Sequence, residues 1–146
     1  MDPARVREVW QAVSYWIASA LDHGGGLTDF AMIEHAVLNG TNLLWLVWDG
    51  REILAAGITS LATANPRSEP GAGRKKFCTI VALGGRDPRS GSGAGPDRWS
   101  MLIDRIEQFA MDEGCDSVVI QGRRGWSRVL PGYREVAVVL ERNISP

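Results

Sequence analysis

Residues 114–133 constrain the fold of this 146-residue chain more than any other segment. The segment opens on Gly114, a residue suited to end a helix, and passes through a short apolar strand at 117–121 into a corner rich in arginine and glycine. A helical turn at 125–130 is broken by Pro131, and a Gly-Tyr pair leads into a last strand at about 134–141. A strand reached through a helix predicts a parallel crossover connection.

Two helices and three strands are predicted before this segment. The first helix has apolar residues at helical spacing from Val6 to Leu21, and Thr28 is positioned to cap a second, shorter helix that ends at Asn39-Gly40. Apolar runs at 43–48, 52–63 and 77–83 predict an antiparallel meander, with Asp49-Gly50 as a two-residue hairpin turn.

A third helix connects the meander to the parallel strand. It presents Trp99, Ile106 and Phe109 on one face, after a polar loop rich in glycine and serine at 84–96. The predicted order is α-α-β-β-β-α-β-α-β, an α+β fold with a mixed sheet and helices on both faces. Residues 1–146 are expected to form a single domain, which at this length can bury a core.

Composition narrows the class of protein. The chain has 16 Lys and Arg against 17 Asp and Glu, a formal net charge of −1, and no apolar run as long as the ~20 residues of a membrane span. Cys78 and Cys115 each lie in an apolar run, which predicts reduced core thiols and, with no export signal at the N-terminus, a cytoplasmic location. His23 and His35 have no partner at metal-ligand spacing, so no metal site is expected.

The predicted order resembles the GNAT (GCN5-related N-acetyltransferase) fold over essentially the whole chain, without its usual first strand. More narrowly, the sequence resembles the small GNAT-like proteins encoded by tailed bacteriophages and prophages. The blocks that carry this likeness are Leu44-Trp45, Asp49-Gly50, Gly84-Gly85, Trp99, 106–110, Gly114-Cys115, 122–126 and 128–133. Some relatives in phage genomes are associated with head or virion assembly, so the resemblance implies a host-cell cytoplasmic protein that is incorporated in the virion in some cases.

The resemblance to GNAT enzymes also implies a place for coenzyme A. Such enzymes hold the pyrophosphate on backbone amides with an Arg/Gln-x-x-Gly-x-Gly/Ala motif before a helix N-terminus, which attracts phosphate. The candidate cofactor-binding residues in this chain are Gly84, Gly85, Arg86, Arg89, Gly91, Gly93 and Gly95, with Ser90 at the position where Arg or Gln is expected. A surface loop is the alternative, since Gly/Ser runs between elements are more often loops than ligand sites.

Groups for acid-base catalysis are not indicated, and the catalytic residues stay unknown. The strands at 77–83 and 117–121 carry no carboxylate, and Arg128 falls where the family's usual catalytic tyrosine is expected. Tyr133 occupies the aromatic exit position instead. Glu34, His35 and Glu52 could approach the cleft, but nothing in the sequence selects them.

Basic residues suggest binding instead. Arg86 and Arg89 follow one strand of the predicted parallel pair, and Arg123 and Arg124 follow the other, so both groups are expected at the carboxyl ends, where ligands of open α/β sheets bind. An anion could be held there: a coenzyme phosphate, a partner's acidic patch or, with least support, nucleic acid. Partner- or anion-binding candidates are Arg123, Arg124, Trp126 and Arg128.

Three functions follow from these features. The first is a phage-type GNAT-fold protein without acetyltransferase activity that acts by contact with other phage proteins or by self-association in virion structure or assembly, with no cofactor and no membrane partner. The second is an acetyl-CoA-dependent N-acetyltransferase with a divergent coenzyme loop. The third is a small host-interaction protein, for which Trp126 is the candidate anchor.

Overall fold

The fold is described from a computed structural model, in which helices and strands follow one another in nearly the order that the apolar periodicity predicts. The described residues are 3–23, 28–64, 73–85, 97–121, 130, 132–137 and 139–144. The elements in chain order are α1 Pro3–His23, α2 Phe30–Leu38, β1 Leu43–Trp48, β2 Ile53–Ala64, β3 Lys75–Gly85, α3 Asp97–Asp112 and β4 Ser117–Ile120.

The N-cap of the second helix lies one residue later than the sequence predicts. Asp29, not Thr28, is the N-cap of α2, and its side chain accepts a hydrogen bond of 2.9 Å from the amide of Ala31. A carboxylate at this position satisfies an amide that the helix itself cannot pair. At the other end Asn39 caps the helix and Gly40 takes a positive φ of 83°, as the Asn-Gly signal predicts.

The four strands form one sheet in the order β1-β2-β3-β4. The first three are antiparallel neighbours, and β4 is parallel to β3. The predicted meander with one parallel crossover is therefore confirmed, and so is the mixed α+β fold class. Gly114 follows α3 with a φ of 77°, which ends the helix and lets the chain turn into β4.

The turn between β1 and β2 differs from the predicted two-residue hairpin. Trp48 pairs with Ile53, so the loop has four residues, and only Gly50 has a positive φ. A two-residue type I′ turn needs a positive φ at both central residues, which this loop does not provide. Instead the carboxylate of Asp49 accepts hydrogen bonds of 2.8 Å from the amides of Arg51 and Glu52, and these bonds lower the pKa of Asp49.

Two apolar cores cover the two faces of the sheet. On one face α1 and α2 pack on the strands, and the fully buried residues there include Val13, Ile17 and Ile58. On the other face α3 packs over Ile80 through Ile106. Burial on both faces explains why the strands read as nearly continuous apolar runs rather than as an alternation.

The prediction of a last strand at about 134–141 is wrong for the residues that the structure describes. The described parts of 132–144 form no strand, and Val136, Val139 and Leu140 are 67%, 74% and 90% exposed. The segment has the β-branched composition of a strand, but a strand needs a neighbour to pair with its backbone. Among the described residues no element supplies that neighbour.

Candidate functional site: the wedge between β3 and β4

The parallel pair separates before β3 ends. β4 pairs with β3 only from Phe77 to Ile80, and the last bond runs from the amide of Gln121 to the carbonyl of Ile80 at 3.2 Å. β3 continues to Gly85. On its β4 side, residues 81–85 therefore have no strand partner within the described part of the chain. We call the opening between residues 81–85 of β3 and the end of β4 the wedge.

An extra residue in β3 lies where the wedge begins. In the pairing with β2, Ile58 is opposite Ala82 while Thr59 is opposite Ile80, so Val81 is left over as a β-bulge. The bulge changes the alternation of side chains: Ile80 and Leu83 pack on the α3 side, while Val81 and Ala82 both pack on the α1 side. Bulges bend a strand and are frequent beside active sites.

The far end of β3 is closely packed against both α1 and β2. A Cβ added to Gly84 would lie 2.6 Å from the carbonyl oxygen of Trp16, and one added to Gly85 would lie 2.6 Å from the carbonyl oxygen of Leu54. Both glycines lie in β3 rather than in the loop that the sequence predicted from residue 84, and the rest of that predicted loop, 86–96, lies outside the described residues. Their lack of a side chain has a packing reason in this fold, and their predicted role in coenzyme binding stays a prediction.

The start of α3 lies over the same end of β3. A Cβ at Gly57 would meet Leu83 at 2.7 Å and Leu102 at 3.6 Å, which shows that the second turn of α3 packs beside the end of β3. α3 therefore begins near the end of β3, and the N-terminus of a helix favours negative charge.

Tyr133 closes a small cavity under α3. Its hydroxyl donates a hydrogen bond of 2.8 Å to Oε2 of Glu107, and burial, together with that bond, raises the pKa of Tyr133. The cavity holds about 70 Å³ and is lined by Ser100, Ile103, Asp104, Glu107, Leu130 and Tyr133. A tyrosine held protonated against a carboxylate has a structural role here, linking the segment after β4 to α3.

The other candidate acid-base groups are dispersed. Glu34 accepts a hydrogen bond of 2.7 Å from Nε1 of Trp10, which joins α2 to α1, and His35 is exposed on the same helix. Glu52 lies exposed in the β1–β2 loop. None of the four described strands carries an acidic side chain. A general base would therefore have to act from outside these strands or through water.

Both thiols are free. Cys78 is fully buried between the sheet and α3, and burial raises its pKa to about 11, whereas Cys115 is half-buried. The prediction of a core thiol is confirmed for Cys78. Among the described residues no three His, Cys, Asp or Glu side chains come together as a metal site would require.

Solved structures with a similar fold include several acetyltransferases. A mutant of the BH1408 protein from Bacillus halodurans is 15% identical, with a TM-score of 0.66 over 99% of this chain and 97% of that one. A predicted acetyltransferase from Clostridium acetobutylicum, solved with acetyl-CoA, is 14% identical, with a TM-score of 0.63 over 98% and 92%. A GNAT family acetyltransferase from Staphylococcus aureus is 11% identical, with a TM-score of 0.59 over 99% and 95%. The chain has a GNAT-like fold.

Other comparisons gave no match. No family model matches the sequence, and no curated protein matches it. At these low identities the structural likeness establishes the GNAT-like fold, and nothing in it points to the bacteriophage subgroup. Among the described residues no helix is long and apolar enough to cross a membrane.

Most of the predicted site residues of this GNAT-like chain lie outside the described residues. These are Arg86, Arg89, Gly91, Gly93, Gly95, Arg123, Arg124, Trp126 and Arg128. In sequence, Arg86 directly follows the end of β3, and Arg123 lies three residues after the end of β4. The two strands are parallel as predicted, and the prediction that these basic groups meet at their carboxyl ends stays a prediction.

Sequence reasoning missed two features of the site. The bulge at Val81 has no sequence signal, because it lies inside a continuous apolar run without glycine or proline. The Tyr133–Glu107 pair joins residues 26 positions apart. Helical spacing places Glu107 on the same α3 face as Ile103 and Asp104, but only the structure shows that Tyr133 lies against that face.

Proposed function

We propose that this protein binds acetyl-CoA in the wedge and transfers the acetyl group to an amine. The observation that carries the proposal is the open edge of β3 from Val81 to Gly85, beside a parallel strand that ends at Ile120. A strand edge offers a row of backbone N–H and C=O groups, and the arm of coenzyme A is an extended chain with two amides that can pair with such a row.

Charge supports the same orientation of the ligand. The second turn of α3 lies near Leu83 at the end of β3, and Arg86 and Arg89 follow that strand in the chain. Helix amides and guanidinium groups both favour phosphate. The diphosphate would then lie towards α3 and the thioester towards the bulge, where β3 and β4 separate. A protein with a similar fold, the predicted acetyltransferase from Clostridium acetobutylicum, was solved with acetyl-CoA, which supports this choice of ligand.

The reaction would be a direct transfer. The nitrogen of a neutral amine attacks the carbonyl carbon of the thioester, a C–N bond forms, the C–S bond breaks, and the sulfur leaves as the thiolate of coenzyme A. The proton lost by the amine passes through water and finally protonates the thiolate. With no carboxylate on the described strands, the protein contributes chiefly by positioning the two reactants.

Titration calorimetry with acetyl-CoA tests the binding step. We expect binding by the wild-type chain and at least a tenfold weaker affinity in the Arg86→Glu/Arg89→Glu variant, since the two charges that the proposal assigns to the diphosphate are reversed. The matched control is Arg74→Glu/Lys75→Glu, which reverses two exposed charges at the opposite end of β3 and should bind like the wild type. No heat at millimolar ligand, or equal losses in both variants, would contradict the proposal.

Release of the coenzyme thiol tests the transfer step. In the presence of acetyl-CoA and a panel of primary amines, the wild-type chain should release thiol faster than a sample without protein. Mass spectrometry should find the matching acetylated amine. Binding of acetyl-CoA without amine-dependent release of thiol would support the coenzyme site and contradict catalysis.

Binding of acetyl-CoA without amine-dependent thiol release would favour a second function, the binding of partner proteins. The absence of acidic side chains from the described strands and the engagement of Tyr133 by Glu107 fit a GNAT-fold protein that binds partners without transferring an acetyl group. The narrow sequence resemblance suggests that such a protein acts in the structure or assembly of a bacteriophage particle. Detection of the protein in purified particles or assembly intermediates is the test, and its consistent absence from both rejects the assembly role.

A further inference from the structure

β1, Leu43–Trp48, is an outer strand of the sheet and consists of six large apolar residues. On its outer side no strand of the described residues pairs with it. Natural edge strands are usually protected by charges, proline or bulges. β1 has no charge and no proline, and the irregularity in its pairing with β2 leaves Leu54 of β2 as the extra residue, so β1 itself has no bulge. Its outer backbone groups can therefore pair with another strand.

Large side chains of β1 are exposed at both of its ends. Trp48 is 68% exposed and Leu43 is 39% exposed. Trp45, Leu46 and Val47 between them are half-buried. Single exposed apolar residues are ordinary, but an edge strand without a polar residue is the kind that pairs with another chain. The chemistry of this edge therefore selects an uncharged, extended partner.

A second copy of the chain meets that requirement. Two copies of one edge pair antiparallel about a two-fold axis perpendicular to the sheet, and facing residues then lie on the same face. Leu44 and Leu46 pack on the α1 side, and the alternation along a strand places Trp48 on that side too. Pairing centred on Leu46 sets Trp48 of one copy opposite Leu44 of the other, which covers the most exposed side chain of β1. Pairing centred on Trp45 would set Trp48 opposite the polar Asn42 instead.

Charge permits this arrangement. The loop after β1 carries the exposed residues Asp49, Arg51 and Glu52. Pairing about Leu46 sets Asp49 opposite Leu43 of the other copy, so the two Asp49 residues lie roughly six residues, or about 20 Å, apart along the strands. That distance exceeds the Debye length of about 8 Å at physiological ionic strength, so the two loops do not repel each other.

The area of such an interface suits a weak dimer. Burial of an aromatic side chain removes about 150–250 Å² from water, and the two-fold axis brings in Trp48 from both copies. The paired strands add an edge of roughly 20 Å from each copy. Stable interfaces bury at least about 1,200 Å² in total, and transient ones bury less. We therefore expect a dimer in equilibrium with the monomer.

We propose that two copies of this chain form a dimer in which their β1 strands pair antiparallel about Leu46. Twice the four strands of one copy then form a single continuous sheet. The wedge lies between β3 and β4, away from β1, so both wedges stay open. The proposal is independent of acetyl-CoA binding.

Light scattering on the full-length chain, over a concentration series from micromolar to millimolar, tests the proposal first. The mass should rise towards twice the 15.9 kDa of the chain. The Leu43→Asp/Trp48→Asp variant should stay monomeric, because a carboxylate at position 43 would face Asp49 of the other copy and the tryptophan contact would be lost. The control Tyr15→Asp/Met111→Asp makes the same change at positions that are 63% and 70% exposed on α1 and α3, and it should dimerise like the wild type.

The outcomes separate this edge from other interfaces. A wild-type chain that stays monomeric throughout the series overturns the proposal. A dimer that survives the Leu43→Asp/Trp48→Asp change also overturns it, because the interface would then lie elsewhere. Leu43 is more than half buried, so Trp48→Asp alone is a second variant that does not disturb packing. It should weaken dimerisation at least tenfold, and an unchanged dimer in this variant rejects the proposal as well.

Oxidative cross-linking tests the register. The Leu46→Cys variant places its thiol on the axis, where facing residues have Cβ atoms about 4.5–5.5 Å apart, so it should form a disulfide between copies. Trp48→Cys is the matched control, because its two thiols would lie about 14 Å apart along the strands and should cross-link at least tenfold more slowly. The wild-type chain, with Cys78 and Cys115 as free thiols, gives the background rate. Equal rates in the two variants would contradict pairing about Leu46.

Discussion

Individual residues at the end of β3 show how closely packing limits substitution. Gly84 lies against the backbone of Trp16, where an added Cβ would be 2.6 Å from the carbonyl oxygen and 2.9 Å from the carbonyl carbon. Gly57 is limited differently, because its added Cβ would meet the end of the Leu83 side chain at 2.7 Å. Backbone atoms of a packed helix cannot move aside as a side chain can.

Gly84→Ala is therefore expected to destabilise the protein by about 1–3 kcal/mol, the usual cost of overpacking a core. Gly57→Ala should cost less, because Leu83 can change rotamer and because alanine restricts the unfolded chain, a gain of about 0.4–1 kcal/mol. Urea denaturation of both variants measures the difference. If Gly84→Ala is as stable as the wild type, the close approach of α1 to β3 is wrong.

The helices and strands show which sequence signals are reliable. Long apolar periodicities predicted α1, α3 and the meander correctly, because burial of apolar residues determines these elements more strongly than any single cap or turn residue does. Local signals were less reliable. Thr28 and Asp29 are adjacent and both suit an N-cap, so composition could not choose between them, whereas the hydrogen bond to Ala31 does.

Asp29→Ala should destabilise the protein by about 1 kcal/mol through loss of this cap. Thr28→Ala is the matched control, at an exposed position one residue earlier, and its expected effect is close to zero. Thermal unfolding of the two variants compares them directly. The reverse order of effects would restore Thr28 as the cap.

For the whole molecule, the sequence predicted the fold class and missed how the sheet ends. The strand-like pattern at 134–141 was interpreted as a fifth strand of the same chain, but a pattern reports the propensity of a segment and not the location of its partner. The wedge was missed for a related reason: β3 and β4 separate beside the bulge at Val81, and nothing in an apolar run marks an extra residue.

The stability of the folded protein at alkaline pH depends on two buried ionisable groups, Tyr133 and Cys78. Burial raises the pKa of Tyr133 above its ordinary value of about 10, so the folded state keeps a proton that the unfolded state releases. This contribution to stability is complete below about pH 10 and is lost as the pH rises towards the folded-state pKa. Cys78 acts in the same direction from about pH 8.5 to its folded-state pKa of about 11.

Tyr133→Phe should therefore lower the free energy of unfolding at neutral pH by about 1.5 kcal/mol, through loss of the bond to Glu107, and make its decline above pH 10 shallower. Tyr15→Phe, at a position 63% exposed, should leave that slope as in the wild type. Denaturation at a series of pH values from 8 to 11.5 gives both slopes. An unchanged slope in Tyr133→Phe would show that this hydroxyl is not buried against Glu107.

The bulge at Val81 also bears on how such a strand tolerates insertions and deletions. Removing Thr79 would turn the residues on one side of the gap to the opposite face of the sheet, because side chains alternate along a strand. Removing Val81 would not: Ile80 would stay opposite Thr59, Ala82 opposite Ile58, and Leu83 would still face α3. Val81 is thus the residue in the middle of β3 that the register with β2 can lose without rearrangement.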